Sequence, residues 1–449
     1  MLRILICAVL AVSLGLVVVN SAAAERQVTY SSKNHNLDDN DNFSSDGRYL
    51  CYDTRGTVGS GIGNGQTIEM AEVATGIETV LYAPESVTGE DCAPGVGAVS
   101  FSPVAREVIF IHGPPLDTVD TRGYYGKSNR SGAKITAEPG QQGKLAWLDH
   151  RDTATSRPTL PGAQRGGTHR HEYTLDGNRI GCTYDDALLP DYGRTIAYME
   201  PRPDAPDDAT QWFAVLVKTV PMADSRPGDL VKASGDSWVG RDGRMRAFIG
   251  RTPVDGGGVL DSLYVVDVPV SVDITTADAG SATEFPSPPK GVQVRRLTHT
   301  PAKGTVRASH DGKRIAYYAP ADDGTMQIFV IASDGSDKDP DPAKQPVQVT
   351  RFEKGVSSGM RWHPSGDHLF CTADGGIAAV CMQAGARFGE TRFITPHDDG
   401  NMRKDLVVSP DGSLAAYTIE VPTFSAEGER TYTYEGSDFV QLFVSPTGL

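Results

Sequence analysis

The sequence is short of long apolar runs: after residue 24, none approaches the ~20 residues that a membrane-spanning helix needs. Basic residues are also in deficit, because 42 Lys and Arg stand against 57 Asp and Glu and give a net charge of −15. A chain with this negative net charge is not expected to bind nucleic acid or an anionic membrane through its overall electrostatic field. An anionic ligand would therefore need a local basic patch. Convincing helical periodicity is absent as well, which excludes a helical bundle.

Cysteine is scarce, and its distribution argues against a disulfide framework. After residue 24 there are Cys51, Cys92, Cys182, Cys371 and Cys381, and an odd number leaves at least one free thiol. Cys51, Cys182 and Cys371 fall inside strand-like runs, which favours buried core thiols. Cys371 with Cys381 is the one pair that merits a test.

The first 24 residues have the features of a secretory signal peptide. Arg3 precedes an apolar run over residues 4–19, and Ala22-Ala23-Ala24 has the small side chains of a cleavage site. The run is too short to predict a membrane span. We therefore expect residues 1–24 to be removed and the rest to be exported, either to the periplasm or out of the cell.

What the sequence does contain is a repeat. Seven times, a strand-like run follows a short turn of the Ser-Pro-Asp-Gly type, and further strand-like runs follow each unit. Alternating apolar positions indicate half-buried strands, and two hairpins per unit give a four-stranded blade. The repeat predicts an all-β fold, a seven-bladed β-propeller over residues 25–449. The seven units span residues 43–54, 101–112, 173–184, 239–250, 308–319, 363–372 and 408–418.

The two ends of the chain complement each other. The last unit stops after Thr447-Gly448, where an outer strand is still missing, and the segment before the first unit has the form of the linkers between units. We predict that residues 27–31 supply the outer strand of the last blade, because this pairing closes the ring and removes exposed sheet edges. A closed ring of this kind is expected to be a monomer.

Three short motifs lack the context that their chemistry needs. Residues 355–359 (GVSSG) match the nucleophile elbow, but they lie between two predicted propeller strands instead of at a strand-to-helix turn. Residues 59–63 (GSGIG) precede no helix, so a phosphate-binding loop is not expected. Asp38, Asn40 and Asn42 resemble the start of a calcium loop, but a phenylalanine stands where the loop requires glycine. A turn or capping role is expected instead.

A pair of histidines precedes the third turn. His169 and His171 are two residues apart, so on a regular strand they face the same side. Two imidazoles on one face can hold a divalent metal (zinc, manganese or calcium) with a structural or substrate-orienting role. The alternative is a pair of hydrogen-bonded channel histidines. The sequence names no third ligand, and no organic cofactor is expected.

An imidazole, a phenol and a guanidinium fall in the second and third units: His112, Tyr184 and Arg194. An arginine can neutralise a carboxylate by bidentate pairing, which lowers the cost of removing the proton α to it. A histidine or tyrosine can then take that proton and return one to the leaving oxygen. This is β-elimination from a uronic acid. Hydrolysis by Asp185 and Asp186 is less favoured, because adjacent strand residues point to opposite faces and cannot flank one bond.

Long motifs support the same chemistry. The chain resembles a family of bacterial seven-bladed propellers that includes ulvan lyases, together with many members of unassigned function. The resemblance extends over nearly all of residues 25–449. It rests on HNLDDNDNFSSDGRYLCYDTR (35–55), TIEMAEVATGIETVLYAP (67–84), VSFSPVAREVIFIHGP (99–114), RGGTHRHEYTLDGNRIGCTYDD (165–186) and RTIAYMEP (194–201).

The resemblance implies roles for particular residues. His112 and Tyr184 match the catalytic pair of the lyases, and Arg194 matches the arginine that neutralises the uronate. A second histidine of the lyases falls in the loop after His112, where this chain reads GYYGKSNRSG and Asn129 is the nearest equivalent. Asparagine can hydrogen-bond a carboxylate but carries no charge. Further expected substrate contacts are the basic Lys127, Arg130, Arg165 and Arg170, and the ring-stacking Tyr124 and Tyr125.

Two functions follow as expectations. The first is an exported lyase that cleaves an acidic, uronate-containing, ulvan-like polysaccharide or oligosaccharide. The alternative is a non-catalytic periplasmic propeller similar to TolB, which would bind a protein or a glycan through one face of the ring. Turns of the Ser-Pro-Asp-Gly type occur in both, and fold alone does not decide function.

Overall fold

The structure is a computed structural model that describes residues 25–38 and 41–449, apart from the side chain of Ser358. The predicted signal peptide, residues 1–24, lies outside the described residues, and so does Asn40 of the calcium-like motif. Seven antiparallel sheets follow one another along the chain, which confirms the seven-bladed β-propeller.

The blades consist of consecutive strands. After β1 (Arg26–Gln27), blade 1 has β2 (Tyr49–Asp53), β3 (Ile68–Glu72) and β4 (Glu78–Tyr82). Blade 2 has β5 (Val96–Phe101), β6 (Glu107–His112), β7 (Ser131–Thr136) and β8 (Ala146–Trp147), and blade 3 has β9 (Gly166–Tyr173), β10 (Ile180–Asp186), β11 (Thr195–Pro201) and β12 (Gln211–Val215). Blade 4 has β13 (Lys232–Trp238), β14 (Met245–Pro253), β15 (Val259–Asp267) and β16 (Gln293–Arg296).

The last three blades repeat this order. Blade 5 has β17 (Lys303–Ala308), β18 (Arg314–Pro320), β19 (Met326–Ala332) and β20 (Val347–Gln348), and blade 6 has β21 (Val356–Trp362), β22 (His368–Ala373), β23 (Gly376–Cys381) and β24 (Thr391–Phe393). Blade 7 has β25 (Lys404–Val408), β26 (Leu414–Val421) and β29 (Phe439–Pro446). The hairpin of β27 (Thr423–Phe424) and β28 (Arg430–Thr431) is inserted before β29.

Helical structure in the described residues is limited to single turns. The α-helix α1 (Val119–Arg122) follows β6, and the 3-10 turns are Ile62–Asn64, Leu116–Thr118, Met222–Asp224, Ile274–Thr276 and Pro342–Lys344. Within residues 25–38 and 41–449, no helix is long and apolar enough to cross a membrane.

The recurring turn is held by its own side chains. In blade 5, the Ser309 hydroxyl donates to Asp311 Oδ1 (2.6 Å), and the same oxygen accepts the backbone N–H of Lys313 (3.1 Å). Gly312 completes the turn with a φ of 72°, a conformation that favours glycine. The turns that begin at Ser44, Thr174 and Ser409 make the same hydroxyl–carboxylate bond. The repeat in the sequence is therefore a repeat of hydrogen bonds.

The N-terminal segment closes the ring, as predicted. Strand β1 pairs with β29, with Arg26 opposite Val444 and Gln27 opposite Phe443. The backbone N–H of Val28 then donates to the carbonyl of Leu442 (2.7 Å). Pairing begins one residue earlier than the predicted segment 27–31 and completes the four-stranded blade 7.

The first strand of a blade, which lines the centre of the ring, is not a regular strand. The pairing with the next strand shifts register in blades 2 to 7. One residue with a positive φ lies in each of these segments, and Asp38 takes that place in blade 1. The residues with a positive φ at these positions are Asp38, Ala98, Arg170, Gly235, Gly304, Gly359 and Asp405. A bulge interrupts the alternation of side chains, so residues two apart across it need not share a face.

The core lies between neighbouring sheets and contains the cysteines. All five cysteines of the described part are buried and free. Cys371 lies opposite Ala378 and Cys381 lies opposite His368, so the pair considered for a disulfide is not joined.

Candidate functional site

His112, Tyr184 and Arg194 lie in neighbouring blades but do not form one cluster. His112 ends β6, Tyr184 is in β10, and Arg194 directly precedes β11. The Tyr184 hydroxyl donates to Asp186 (2.9 Å), whereas the Arg194 guanidinium donates to Asp185 (2.8 Å). Since Asp185 and Asp186 are adjacent on one strand and point to opposite faces, the phenol and the guanidinium lie on opposite sides of β10.

Tyr184 is part of a buried network. Its side chain is 1 % exposed. The Asp186 oxygen that accepts its hydroxyl also accepts Nε of Arg165 (2.7 Å), itself fully buried. Burial, with the nearby Asp186 carboxylate, raises the pKa of Tyr184 well above its usual value. The hydroxyl therefore stays protonated and holds Asp186 in place.

His112 has a phenol beside it, but that phenol is Tyr82. His112 Nδ1 lies 2.6 Å from the Gly113 carbonyl and can only donate there. Its Nε2 therefore accepts the Tyr82 hydroxyl, at 3.0 Å. Burial lowers the pKa of His112 to about 4, and the charge of Arg122 acts in the same direction. Burial raises the pKa of Tyr82. At pH 7 both groups are thus neutral and share one hydrogen bond.

Two arginines near this pair have no carboxylate partner. Arg122, the last residue of α1, donates to Asn129 Oδ1 (3.0 Å) and the Ser131 hydroxyl (3.3 Å). Arg151 donates to the backbone carbonyls of Gly166 (2.9 Å) and Ser128 (3.2 Å). Within the described residues neither forms an ion pair.

The charge of these two arginines is only partly compensated. Burial and the positive charge of Arg151 lower the pKa of Arg122 to about 10, although the carboxylates of Asp149 and Asp208 act in the opposite direction. Burial also lowers the pKa of Arg151, against the effect of Asp149. Guanidinium groups in this state are stabilised by an incoming anion, because a carboxylate can pair with them bidentately. We call Tyr82, His112, Arg122 and Arg151 the Tyr82–Arg151 site.

The loop after β6 carries several of the predicted substrate contacts. Asn129 donates to the carbonyls of Arg122 (2.8 Å) and Tyr124 (2.7 Å) while it accepts Arg122 Nε. It thus fixes Arg122 in position. Tyr124 and Lys127 are exposed, and the Tyr125 hydroxyl accepts Arg130 (3.1 Å). The structure places these residues together beside the Tyr82–Arg151 site.

A second group of basic residues lies on β9, the inner strand of blade 3, and against it. Arg130 is 5 % exposed, and its closest carboxylate contact is 3.8 Å to Asp185. Arg170, at the bulge, donates to the carbonyl of Asp236 (3.1 Å). Burial lowers the pKa of His169 well below its usual value, and the charges of Arg130 and Arg194 add to this effect. The predicted basic patch is therefore split between the channel wall and the Tyr82–Arg151 site.

The bulge at Arg170 separates the two histidines of the predicted metal site. His171 Nε2 lies 3.1 Å from the Thr168 hydroxyl, on the side opposite to that of His169. Burial lowers the pKa of His171 to about 3, so its imidazole is neutral. In residues 25–38 and 41–449, no group of three or more His, Cys, Asp or Glu could hold a metal ion. The alternation on which the metal prediction depends is thus interrupted, and metal binding stays a prediction.

Sequence reasoning missed Tyr82, Arg122 and Arg151. Tyr82 ends β4 of blade 1 and is indistinguishable by pattern from a packed strand residue. Arg122 ends the single-turn helix α1 and Arg151 follows β8, both in connections between strands for which the sequence gives no spacing rule. The one available signal is the number of arginines between the second and third units, among them Arg122, Arg130, Arg151 and Arg157.

A family model matches part of the chain and one relative matches most of it, and the description of neither names an activity. A family model described as "Protein of unknown function (DUF3748)" matches residues 95–203, which include His112, Arg122 and Arg151 but not Tyr82. The "Uncharacterized protein YidR" of Escherichia coli K12 is 29% identical over 423 residues, which are 88% of this chain and 94% of that one.

Solved structures resemble the chain only distantly. A putative TolB from Agrobacterium tumefaciens is 12% identical with a TM-score of 0.38, over 86% of this chain and 99% of that one. An oligogalacturonate lyase from Vibrio parahaemolyticus is 11% identical with a TM-score of 0.41, over 94% of this chain and 92% of that one. Neither bears on the function of the chain.

Proposed function

We propose that the protein binds an acidic, uronate-containing polysaccharide at the Tyr82–Arg151 site and cleaves it by β-elimination. The observation that supports this function is the pair of partly buried arginines without a carboxylate partner, Arg122 and Arg151, beside a neutral imidazole–phenol pair. The polymer would be ulvan-like, and the protein would act after export.

The arginines bind the carboxylate of the sugar. Arg122 and Arg151 form no ion pair among the described residues, so both can pair with the uronate carboxylate. Neutralising that carboxylate stabilises the negative charge that develops when the adjacent C5 proton leaves. Asn129 orients Arg122 through its amide. Lys127 and Tyr124, both exposed in the same loop, would contact neighbouring sugars of the polymer.

The proton moves through Tyr82 and His112. As the C5 proton moves to the Tyr82 oxygen, the Tyr82 hydroxyl proton moves to His112 Nε2 along their 3.0 Å hydrogen bond, and the bound uronate carboxylate stabilises the imidazolium. The bond from C4 to the glycosidic oxygen then breaks, the C4–C5 double bond forms, and Tyr82 protonates the leaving oxygen. The imidazolium returns its proton to Tyr82, so the protein ends as it began.

Tyr184 and Arg194, to which the family resemblance assigns catalytic roles, have other partners. Tyr184 is bound to Asp186 and Arg194 to Asp185. In this proposal the acid–base role therefore belongs to Tyr82, and the carboxylate-binding role belongs to Arg122 and Arg151.

The experiment offers ulvan, polygalacturonate and glycosaminoglycans to the protein and follows the ultraviolet absorbance of unsaturated uronate. We expect an increase with at least one polymer. Arg122→Gln and Arg151→Gln should each lower kcat/KM by about 10- to 100-fold, since each removes a charge-assisted contact of roughly 1.5–3 kcal/mol. Lys313→Gln, at an exposed turn, is the matched control.

The same panel tests the alternative of a non-catalytic, TolB-like propeller. Binding can be followed independently by tryptophan fluorescence, because the Trp147 ring lies beside the site. It is edge-on to the His112 ring, with 5.0 Å between the ring centres. Binding of a polymer with no increase in absorbance would exclude the elimination and favour a binding propeller. If the protein binds no polymer and the absorbance increases with none of them, both the elimination and the polysaccharide-binding function are excluded.

A further inference from the structure

The connections between the second and third strands of the blades are long in blades 7, 1 and 2 and short in blades 4 to 6. The long ones are residues 422–438, 54–67 and 113–130, and the short ones are residues 254–258, 321–325 and 374–375. Every second strand ends on the same face of the ring, because the blades repeat one strand order, and His112 ends the second strand of blade 2. Three neighbouring blades therefore carry long loops on the face that holds the Tyr82–Arg151 site.

Contacts join these three long loops into one surface. The backbone N–H of Tyr434, in the blade 7 loop, donates to the carbonyl of Thr57 in the blade 1 loop (3.1 Å). Farther along the blade 1 loop, Gly63 lies against the Tyr125 ring of the blade 2 loop, so closely that a Cβ on Gly63 would be 3.0 Å from Tyr125 Cδ1. The blade 2 loop also contains Arg122. A continuous surface thus leads from the Tyr82–Arg151 site to the blade 7 loop.

The blade 7 loop exposes three aromatic rings. Its hairpin pairs Phe424 with Arg430, so these two side chains and that of Tyr432, two residues on, share one face. Phe424, Tyr432 and Tyr434 are 56%, 49% and 47% exposed, whereas Thr423, on the other face of the hairpin, is buried. Half of the six exposed aromatic side chains in the described part of the chain are on this loop. We call Phe424, Tyr432 and Tyr434 the hairpin face.

The charge around the hairpin face is unfavourable for an anionic ligand. Arg430 lies over the Tyr432 ring, 5.2 Å from its centre, and its charge is paired with Asp438 (2.8 Å). Three exposed glutamates of the loop form no ion pair among the described residues: Glu427, Glu429 and Glu435. An anionic membrane, a nucleic acid and the carboxylate of a uronate would each be repelled here.

Aromatic rings beside free carboxylates suit an uncharged sugar. The face of an aromatic ring carries partial negative charge, so it attracts the polarised C–H groups on one side of a sugar ring. Carboxylate oxygens accept hydrogen bonds from sugar hydroxyls. Tyrosine offers a rigid contact area, and little conformational entropy is lost when a ligand stacks on it.

We infer that the hairpin face is a second polysaccharide site, which holds an uncharged sugar of the same chain whose uronate occupies the Tyr82–Arg151 site. The chain runs over the blade 1 loop between the two sites. The inference rests on the proposed function, because it requires a uronate polymer at the Tyr82–Arg151 site. It adds that the ligand is a long chain in which uronates and uncharged sugars both occur.

The test compares long and short chains of hyaluronan and chondroitin, in which glucuronate alternates with an uncharged amino sugar. Tryptophan fluorescence, which reports on Trp147 beside the first site, gives the affinity of the full protein for each polymer and for its tetrasaccharide. The triple variant Phe424→Ala/Tyr432→Ala/Tyr434→Ala should bind at least one long polymer about tenfold more weakly, since it removes three stacking contacts. Its affinity for the tetrasaccharides, which are too short to reach both sites, should equal that of the wild type.

Two control variants accompany the triple variant. Phe388→Ala removes an exposed aromatic ring between the third and fourth strands of blade 6, on the opposite face, and should leave both affinities unchanged. Tyr432→Phe/Tyr434→Phe keeps both rings and should retain most of the affinity for the long polymer. If the triple variant lowers the melting temperature, the single variant Tyr432→Ala decides, with a smaller loss expected on the long polymer alone.

The outcomes separate this inference from the proposed function. Equal affinity of the wild type and the alanine variants for the long polymers overturns the inference and leaves the hairpin face to a protein partner. Equal weakening of the tetrasaccharides also overturns it. So does a wild type that binds ulvan or polygalacturonate but neither hyaluronan nor chondroitin, and in these three cases the proposed function stands. A wild type that binds no uronate polymer overturns both.

Discussion

At the scale of single residues, the proposed elimination depends on two neutral groups, His112 and Tyr82. His112 is 2% exposed, and its imidazole keeps one nitrogen as an acceptor because burial disfavours the charged form. Neither nitrogen faces a carboxylate: one contacts a backbone carbonyl and the other a phenol. The hydrogen bond from Tyr82 to His112 therefore has a fixed direction.

This neutral state predicts how stability depends on pH. The pKa of His112 is about 4 in the folded protein and ~6.5 when unfolded. The unfolded chain therefore binds the proton more readily, and stability is lost as the pH falls from about 6.5 to about 4, by an amount on the order of 3 kcal/mol. His112→Gln should flatten the pH dependence of the unfolding free energy in this window.

Urea unfolding at a series of pH values measures this effect. His397→Gln is the matched control, because His397 is exposed. An unchanged slope in His112→Gln would show that His112 is not buried in its neutral form.

The residues of the site were only partly predictable. His112 was found because it ends a repeat unit, and Asn129 because it lies in the following loop. Tyr82 comes from another blade, and only the three-dimensional packing of blades 1 and 2 brings its hydroxyl to His112. Tyr184 fitted the pattern equally well, but the side of β10 on which it lies, with Asp186, could not be read from the sequence.

At the scale of secondary-structure elements, the closing strand β1 depends on its pairing with β29 and on the side-chain contacts of Glu25, which precedes it. Glu25 accepts two hydrogen bonds from Arg403 (2.6 and 2.9 Å) and one from Tyr417 (2.8 Å). The strand itself pairs with β29 over two residues. The side-chain contacts of Glu25 thus supplement the short ladder of backbone hydrogen bonds between β1 and β29.

Glu25→Gln should lower the free energy of unfolding by about 1–2 kcal/mol, because it weakens the charged hydrogen bonds to Arg403. Glu85→Gln, an exposed glutamate without an ion pair among the described residues, should leave it unchanged. A chain that begins at Ser32 should be far less stable than one that begins at Glu25. Equal melting temperatures of these two chains would contradict closure by β1.

The elements were more predictable than the site. The turns could be identified because serine or threonine, aspartate and glycine each have a fixed function in them, as in Ser309, Asp311 and Gly312. The bulges of the inner strands could not all be identified, since Ala98 and Arg170 have no feature that marks a positive φ. The bulge at Arg170 is the reason why His169 and His171 do not share a face.

At the scale of the whole molecule, the net charge of −15 opposes the proposed ligand. An acidic polymer is repelled at long range and attracted only where it reaches Arg122, Arg151 and the exposed Lys127. Salt screens the long-range repulsion over a Debye length of about 10 Å at 0.1 M, but it affects partly buried pairs less.

Association with an acidic polymer should therefore become faster as salt is added from low concentration. Surface plasmon resonance with immobilised polymer, at a series of NaCl concentrations, measures the association rate. A neutral polysaccharide is the reference. An association rate that falls with added salt would show that basic surface residues, and not the net charge, control the encounter.

The most direct test of the central claim compares two tyrosines on a uronate polymer. The initial rate of absorbance increase is measured for the wild type, Tyr82→Phe and Tyr184→Phe, after circular dichroism has shown that both variants are folded. We predict a loss of about 10²- to 10⁴-fold for Tyr82→Phe, as expected for a general acid–base group, and a rate within a few-fold of the wild type for Tyr184→Phe. Full activity of Tyr82→Phe, or no elimination by the wild type on any polymer, would contradict the account.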